Sequence, residues 1–173
     1  MIFFYFLFFF LKCKNAEIAT VTCPTAINLQ VIELYQLSVS CGEQLAFVLQ
    51  LLQSSPNLCK LNIVALNVLC SCDITTGTRL LEDPNSYIIK QDLKILNTIM
   101  IDGLGGCTLE MLFVKMLLSK SPALERVVVD TDTSEDVNSL RELLRFPCAS
   151  PKAQIVCREN DGSLFELFEN EWF

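Results

Sequence analysis

Short apolar runs alternate along this chain with longer stretches in which apolar residues recur at helical spacing. The first run, residues 34–39, is predicted to form a β-strand, and residues 43–53 are predicted to form a helix that Pro56 helps to end. Residues 61–63 are predicted to be the next strand. This alternation predicts β/α units.

The same order of elements recurs in the second half of the chain. Residues 95–101 are predicted to be a strand, Thr108 is predicted to cap the helix that follows, and residues 127–129 are predicted to be another strand. The helix carries apolar residues one turn apart at Leu109, Leu112, Phe113, Met116 and Leu117. From this spacing and from the repeat described next, we expect core positions at Phe113, Leu117, Leu124 and Leu144.

Two segments of the chain are similar to each other and align without insertions or deletions, the first beginning at Phe47 and the second at Phe113. They match at Phe47/Phe113, Val48/Val114, Leu51/Leu117, Leu52/Leu118, Ser55/Ser121, Pro56/Pro122, Leu58/Leu124 and Leu61/Val127. A repeat that joins a helix to a strand is typical of a solenoid, in which stacking covers each helix and pairs the strands in a parallel sheet. The strands that precede the two helices align best when Leu37 is matched with Ile99, and this separation along the chain is shorter than the one that matches the helices. The second unit would then have additional residues between its strand and its helix, so residues 103–106 are expected to form an extra loop.

We therefore predict an α/β fold, a short solenoid of stacked β/α units with its helices on one face of a parallel sheet. Neighbouring strands of that sheet are expected to contain Leu37, Val39, Leu61, Ile63, Ile99, Ile101, Val127 and Val129.

The connections and the C-terminal part have weaker patterns. Residues 73–91 contain turn-forming sequences and are predicted to be a loop. The acidic run over residues 130–136 is predicted to cap a last helix, whose buried face comprises Val137, Leu140, Leu143 and Leu144. The tail, residues 158–173, is predicted to include a short amphipathic helix with Leu164, Leu167 and Phe168.

Residues 1–14 form the clearest break in composition. A Phe-rich apolar run is followed by Lys12 and Lys14. The run is shorter than the ~20 residues that a membrane-spanning helix needs, so a membrane span is not expected. It also lacks the basic region that precedes the apolar run of a secretory signal. We interpret this segment first as translation from a wrongly assigned start and second as a signal or anchor, and the fold is predicted without it.

Composition excludes several classes of function. The chain has 173 residues, 51% of them hydrophobic, which indicates a folded domain. Its formal net charge of −7 would repel a nucleic-acid backbone, so nucleic acid is not an expected partner. The chain has no His, which removes Ser-His and Cys-His nucleophile pairs. We expect no enzyme activity, no cofactor and no catalytic residues.

The nine cysteines are an odd number and contain no Cys-x-x-Cys pair. The closest two are Cys70 and Cys72, and a soft-metal site would have to recruit a distant ligand such as Cys59. Reduced thiols in a cytoplasmic or nuclear protein are the favoured interpretation, with no metal site. A secretory route would apply only if residues 1–14 belong to the protein.

A family resemblance adds to this prediction. The segments Phe113-Val-Lys-Met-Leu-Leu-Ser-Lys-Ser-Pro-Ala-Leu-Glu-Arg-Val-Val-Val129 and Leu143-Leu-Arg-Phe-Pro-Cys-Ala-Ser-Pro-Lys-Ala-Gln-Ile-Val156 resemble the C-terminal region of plant F-box/FBD/leucine-rich-repeat proteins. The segment Leu51-Leu-Gln-Ser-Ser-Pro-Asn-Leu-Cys-Lys-Leu61 resembles the leucine-rich unit that precedes the FBD segment in that family. The resemblance covers residues 29–157.

The resemblance implies a division of the chain into parts. Residues 21–101 correspond to a leucine-rich-repeat region. Residues 102–157 correspond to an FBD-like region that closes the solenoid with a helix, a turn and a strand. Residues 158–173 form an acidic, aromatic tail beyond the family motif.

The resemblance also implies a role as the substrate-recognition subunit of a cullin-RING (SCF-type) ubiquitin ligase. In that family an F-box binds the ligase adaptor and the repeats bind the target. An F-box usually opens with a Leu-Pro motif, which does not occur in this sequence, and the residues before Val21 are too few for such a module. We therefore expect a protein-binding module that recognises an unidentified target through its repeat surface without docking on the adaptor. The alternatives are a secreted or membrane-tethered leucine-rich-repeat protein and an inert truncated gene product.

Overall fold

The computed structural model describes residues 3–7, 29–39, 41–65, 81, 91–105, 107–130, 137–158 and 164–166, and the structural statements below concern these residues. Their strands are β1 (Phe3–Leu7), β2 (Val31–Leu37), β3 (Lys60–Ala65), β4 (Thr98–Asp102), β5 (Arg126–Asp130), β6 (Gln154–Arg158) and β7 (Leu164–Glu166). Their helices are α1 (Gly42–Gln53), α2 (Thr108–Lys120) and α3 (Val137–Leu144).

The strands form one sheet in which the spatial order follows the order along the chain, from β1 to β7. The pairs from β1 through β6 are parallel, and β7 pairs antiparallel with β6. Sequential order in a parallel sheet means that each unit stacks on the unit before it, as in a solenoid. The α/β architecture with a parallel sheet is therefore confirmed, and it is compatible with a leucine-rich-repeat fold.

A short pattern of buried residues leads into four successive strands, β2 to β5. It consists of a buried Leu, two variable residues, a buried apolar residue, one variable residue and a second buried apolar residue. The four copies begin at Leu29, Leu58, Leu96 and Leu124, and the interval between the second and third copies is the longest. This pattern is that of the strand segment of leucine-rich repeats.

The same backbone hydrogen bonds join each copy to the next. The carbonyl oxygen of Gln30 accepts the N–H groups of Cys59 and Lys60, at 2.8 and 3.0 Å. The carbonyl oxygen of Asn97 accepts those of Glu125 and Arg126, at 2.9 and 3.1 Å. Each strand entry thus satisfies the backbone donors of the next unit, which fixes how the units stack.

The core lies between one face of the sheet and the helices. In each strand the first apolar position of the pattern aligns with its neighbours, in the row Ile32, Leu61, Ile99, Val127 and Ile155. The second row contains Leu34, Ile63, Ile101, Val129 and Cys157. These rows belong to one hydrophobic cluster with the apolar faces of α1 and α2, which include Leu45, Val48, Phe113 and Leu117.

The predicted core positions are confirmed at three of the four residues. Phe113, Leu117 and Leu124 are buried. Leu144 is only half-buried, and the buried position at this end of α3 is the preceding Leu143. The side chains of Val137 and Leu140 and the acidic run over residues 131–136 lie outside the described residues.

The predicted boundaries of β2 and its alignment are wrong. β2 begins at Val31 and ends at Leu37, and Val39 lies in a turn, although it is buried. Ile32 and Leu34, not Leu37 and Val39, lie level with Ile99 and Ile101.

This alignment removes the reason for expecting an extra loop. Ile32 and Ile99 are separated along the chain by nearly the same number of residues as Phe47 and Phe113. The strands and the helices therefore repeat at nearly the same interval. Residues 103–106 are therefore not an added loop. Gln36, with a φ of 57°, accommodates a bulge near the end of β2.

The predicted cap of α2 is also wrong. Thr108 is the first helical residue, and Cys107, with extended backbone, occupies the N-cap position. The backbone N–H of Cys107 donates to Oε2 of Glu110 at 3.0 Å, so a carboxylate in the first turn of the helix accepts from the N-cap residue, which is the reverse of the hydrogen bond expected of a capping hydroxyl.

Four other segments differ from the prediction. Residues 164–166 are a strand rather than part of a helix, because pairing with β6 satisfies backbone groups at that edge of the sheet. Ile95 lies in a turn before β4. Residues 3–7, which the prediction left outside the fold, form β1 and pair with β2. Most of the predicted loop over residues 73–91 lies outside the described residues, but Leu81 is helical and packs against the core.

Candidate functional site

The second face of the sheet carries the side chains that alternate with the core positions. We call this surface the open face, and in β2 to β6 it has three rows. At the strand starts lie Val31, Lys60, Thr98, Arg126 and Gln154; in the middle lie Glu33, Asn62, Met100, Val128 and Val156; at the strand ends lie Tyr35, Val64, Asp102, Asp130 and Arg158.

A groove of about 180 Å³ crosses the open face. Its lining combines apolar, amide and charged groups, contributed by Tyr35, Asn62, Val64, Met100, Asp102, Val128, Asp130 and Arg158 together with the strand residues Ile63 and Ile101. A shallow concavity with mixed chemistry is suited to the side chains of a protein or peptide.

The middle of the open face contains an apolar strip. Met100 is half-buried, while Val128 and Val156, on the two strands that follow, are 6% and 3% exposed. These two valines are not part of the cluster between the sheet and the helices. Of these three residues, Met100 is therefore the one whose apolar side chain is accessible to a partner.

Glu33 organises one end of the groove. Its Oε2 accepts a hydrogen bond from the Tyr35 hydroxyl at 3.2 Å, and its Oε1 accepts one from Nδ2 of Asn62 at 3.3 Å. The Oδ1 atom of Asn62 is buried and has no hydrogen-bond partner within the described residues. A buried acceptor without a partner is uncommon in folded proteins.

Charged groups are separated along the strands. Lys60 and Arg126 are exposed in the row at the strand starts, whereas Asp102 and Asp130 lie at the strand ends. Asp130 pairs with Arg158, with 3.7 Å between Oδ2 and Nη1. The groove therefore lies at the acidic end of the open face.

The described cysteines are free thiols. Cys41 and Cys157 are buried, Cys59 is half-buried, and Cys107 and Cys148 are exposed. Partial burial of the Cys107 thiol raises its pKa above the ordinary value, and the Glu110 carboxylate raises it further, against the opposing effect of backbone hydrogen bonds. A raised pKa keeps the thiol protonated and weakly nucleophilic near neutral pH.

A metal site built on Cys59, Cys70 and Cys72 was the alternative considered from the sequence. Cys70 and Cys72 lie outside the described residues. Among the residues that are described, no group of three or more His, Cys, Asp or Glu side chains is arranged to hold a metal ion.

Sequence reasoning named no binding residue, and the groove shows why. Its polar residues, among them Asn62, Asp102 and Arg158, come from different strands and are scattered along the chain. The leucine-rich pattern beginning at Leu58 and Leu96 could have placed Asn62 and Met100 on the open face, because the variable residue between its two strand positions points there.

No described helix is long and apolar enough to cross a membrane. No membrane span is predicted for residues 1–14. Of this segment the structure describes β1, and the other residues lie outside the described part of the chain.

Comparison with known proteins shows a similarity to a plant protein. The chain is 31% identical over 140 residues to an F-box/FBD/LRR-repeat protein of Arabidopsis thaliana. The match covers 76% of this chain and 32% of the relative, so the chain spans about a third of the length of the protein it matches. No family model matches the chain. No solved structure matches it either.

Proposed function

We propose that this chain is the target-recognition part of an F-box-type subunit of a cullin-RING ubiquitin ligase, and that the target binds on the open face. The observation that carries the proposal is the stack of four leucine-rich strand segments in register, which aligns polar and apolar side chains across neighbouring strands. The name of the Arabidopsis relative, which includes both the F-box and the LRR repeat, supports the same role.

The chemistry of the open face supports binding of a protein. Half-buried Met100 and exposed Tyr35 belong to residue types that are enriched at protein interfaces. The Glu33 hydrogen-bond network holds Tyr35 and Asn62 in place before a partner arrives, which lowers the entropy lost on binding.

The groove's composition supports a binding role. A hydrolytic or transfer reaction needs a nucleophile within hydrogen-bond reach of a base. The groove residues within the described chain include no Ser, Thr, Cys, Lys or His, and the groups that remain as nucleophiles are the carboxylates of Asp102 and Asp130 and the hydroxyl of Tyr35.

Proximity labelling with the full chain in plant cells tests the location of the binding surface. The wild type is compared with Met100→Glu on the open face and with Ile95→Glu, which places the same charge on an exposed apolar residue outside the groove. We expect a target to be labelled by the wild type and by Ile95→Glu but not by Met100→Glu, and then to bind the purified wild type directly. Equal labelling by all three proteins would place binding elsewhere.

The ligase role needs a separate test. The F-box of the Arabidopsis relative is joined to the chain, and the target identified above is incubated with adaptor, cullin, RING subunit, E1, E2 and ubiquitin. We expect ubiquitination of the target with the fusion and none with the chain alone. Ubiquitination by the unfused chain would show that it docks on the ligase itself, and binding without ubiquitination by the fusion would argue against the ligase role.

A further inference from the structure

Two basic side chains lie at the strand starts of the open face. Lys60 on β3 and Arg126 on β5 are in register on either side of Thr98 on β4, and we call them the basic pair. Both are exposed, and neither forms an ion pair within the described residues. Glu125 precedes Arg126 along the chain, but no ion pair in the described part of the molecule joins them. The basic pair is therefore available to an anionic partner.

The last strand directs the chain toward the level of the basic pair. β7 runs antiparallel to β6, and its register pairs Leu164 with Arg158 and Glu166 with Val156. Arg158 belongs to the row at the strand ends and Val156 to the middle row. Continuation beyond Glu166 in the same direction therefore leads to the level of the strand starts, where Gln154 begins β6.

The segment that follows β7 complements the basic pair in charge. Residues 167–173, Leu-Phe-Glu-Asn-Glu-Trp-Phe, contain Glu169 and Glu171 and no basic residue, and they lie outside the described residues. Side chains two residues apart point to the same side of an extended chain. Asp102 and Asp130 at the strand ends repel such a segment from the opposite end of the open face.

The length of this segment matches the distance to the basic pair. Neighbouring strands are about 4.8 Å apart, so β5 lies about 10 Å and β3 about 19 Å from β7 across the sheet. An extended chain advances about 3.3 Å per residue, which places Glu169 about 10 Å and Glu171 about 17 Å beyond Glu166. With the side-chain lengths added, Glu169 can reach Arg126. In the same way, Glu171 can reach Lys60.

We infer that residues 167–173 fold back over the strand starts of the open face, where Glu169 pairs with Arg126 and Glu171 pairs with Lys60. The occupant of the basic pair is then a segment of the same chain. Attachment to β7 gives the segment a high effective concentration, so two weak exposed ion pairs are enough to hold it. The regulatory consequence rests on the proposed function: a target that binds the open face has to displace this segment.

Trp172 is the only Trp in the chain, so its fluorescence reports on residues 167–173 without a label. Acrylamide quenching is compared in the full chain, in Lys60→Gln/Arg126→Gln and in the control Arg145→Gln, which removes an exposed charge just after α3. We expect quenching of the double variant to be about twofold stronger than that of the wild type, and quenching of the control to be unchanged. High salt should raise quenching of the wild type to the level of the double variant, because screening weakens exposed ion pairs.

Exchange of the charges identifies the ion pairs. Glu169→Lys/Glu171→Lys is expected to raise the quenching of Trp172, and addition of Lys60→Glu/Arg126→Glu to the same chain is expected to lower it again. Circular dichroism checks that each variant is folded. No target takes part in these measurements, so their outcome is separate from that of the proposed function.

Three results would overturn the inference. They are equal quenching of the wild type and Lys60→Gln/Arg126→Gln, failure of the exchanged charges to lower the quenching, and quenching that depends on protein concentration. The last result would mean that the segment binds a second copy of the chain instead of its own open face.

Discussion

Ser55 and Ser121, a matched pair in the internal repeat, make the same hydrogen bond at the ends of two helices. The hydroxyl of Ser55 donates to the carbonyl oxygen of Leu51 at 2.8 Å, and that of Ser121 donates to the carbonyl oxygen of Leu117 at 2.7 Å. Both serines are buried and precede a proline. Each satisfies a carbonyl group that the end of the helix leaves without a backbone donor, and each begins the turn into the next strand.

Replacing Ser121 with Ala is expected to lower the free energy of unfolding by about 1–3 kcal/mol, because the buried carbonyl of Leu117 would lose a donor. The matched control is Ser119→Ala. Ser119 also donates to a carbonyl oxygen at this helix end, that of Met116, but it is exposed, so water can replace the hydroxyl. Urea unfolding of both variants measures the difference, and equal losses would show that burial does not decide the effect.

Replacing Leu117 with Ala is expected to lower the free energy of unfolding by about 2–5 kcal/mol. The residue is fully buried in the cluster between sheet and helices, so truncation leaves a cavity. Ile95→Ala is the control, because Ile95 is 43% exposed and should lose much less stability. Thermal melts followed by circular dichroism would contradict the assignment if Leu117→Ala melts at the wild-type temperature.

Gly103→Ala is expected to destabilise the protein by about 1 kcal/mol or more. Gly103 has a φ of +73°, and an added Cβ would lie 3.0 Å from the carbonyl oxygen of Ala65 on the neighbouring strand unit. Gly105 is exposed and has no positive φ, so Gly105→Ala should cost less. Chemical unfolding distinguishes them, and a larger loss at Gly105 would mean that the turn is built differently.

Alkylation of Cys107 by iodoacetamide is expected to have its half-maximal rate at a pH above the ordinary thiol pKa, because burial disfavours the thiolate. Rates are measured for each cysteine by mass spectrometry of the native protein across the alkaline range. Buried Cys41 serves as the control and should react only after unfolding. A Cys107 midpoint at or below the ordinary value would contradict the raised pKa.

The raised pKa also has a consequence for stability. In the folded protein Cys107 holds its proton to a higher pH than in the unfolded chain. Its contribution to stability is therefore fully present below the unfolded pKa and is lost as pH rises through the folded pKa. Replacing Cys107 with Ser should make the loss of stability on the alkaline side less steep, as measured by urea unfolding at several pH values.

The sequence by itself determined α1 and α2 and the turns that end them. Apolar residues one turn apart specified α2 and its burial at Phe113 and Leu117, and the Ser-Pro sequences specified where α1 and α2 stop. These features depend on residues within one or two turns of each other, so local spacing is enough to predict them. The alternation of strand and helix also indicated the parallel sheet, since parallel strands need a crossover between them.

Only the tertiary structure decided which strand positions lie side by side. Ile32 rather than Leu37 aligns with Ile99, because the register follows core packing across strands and the bulge at Gln36 shifts the end of β2. Residues 164–166 became a strand because β6 offered an edge to pair with. The groove has the same origin: Asn62, Asp102 and Arg158 are brought together by stacking of units, and no local pattern encodes that proximity.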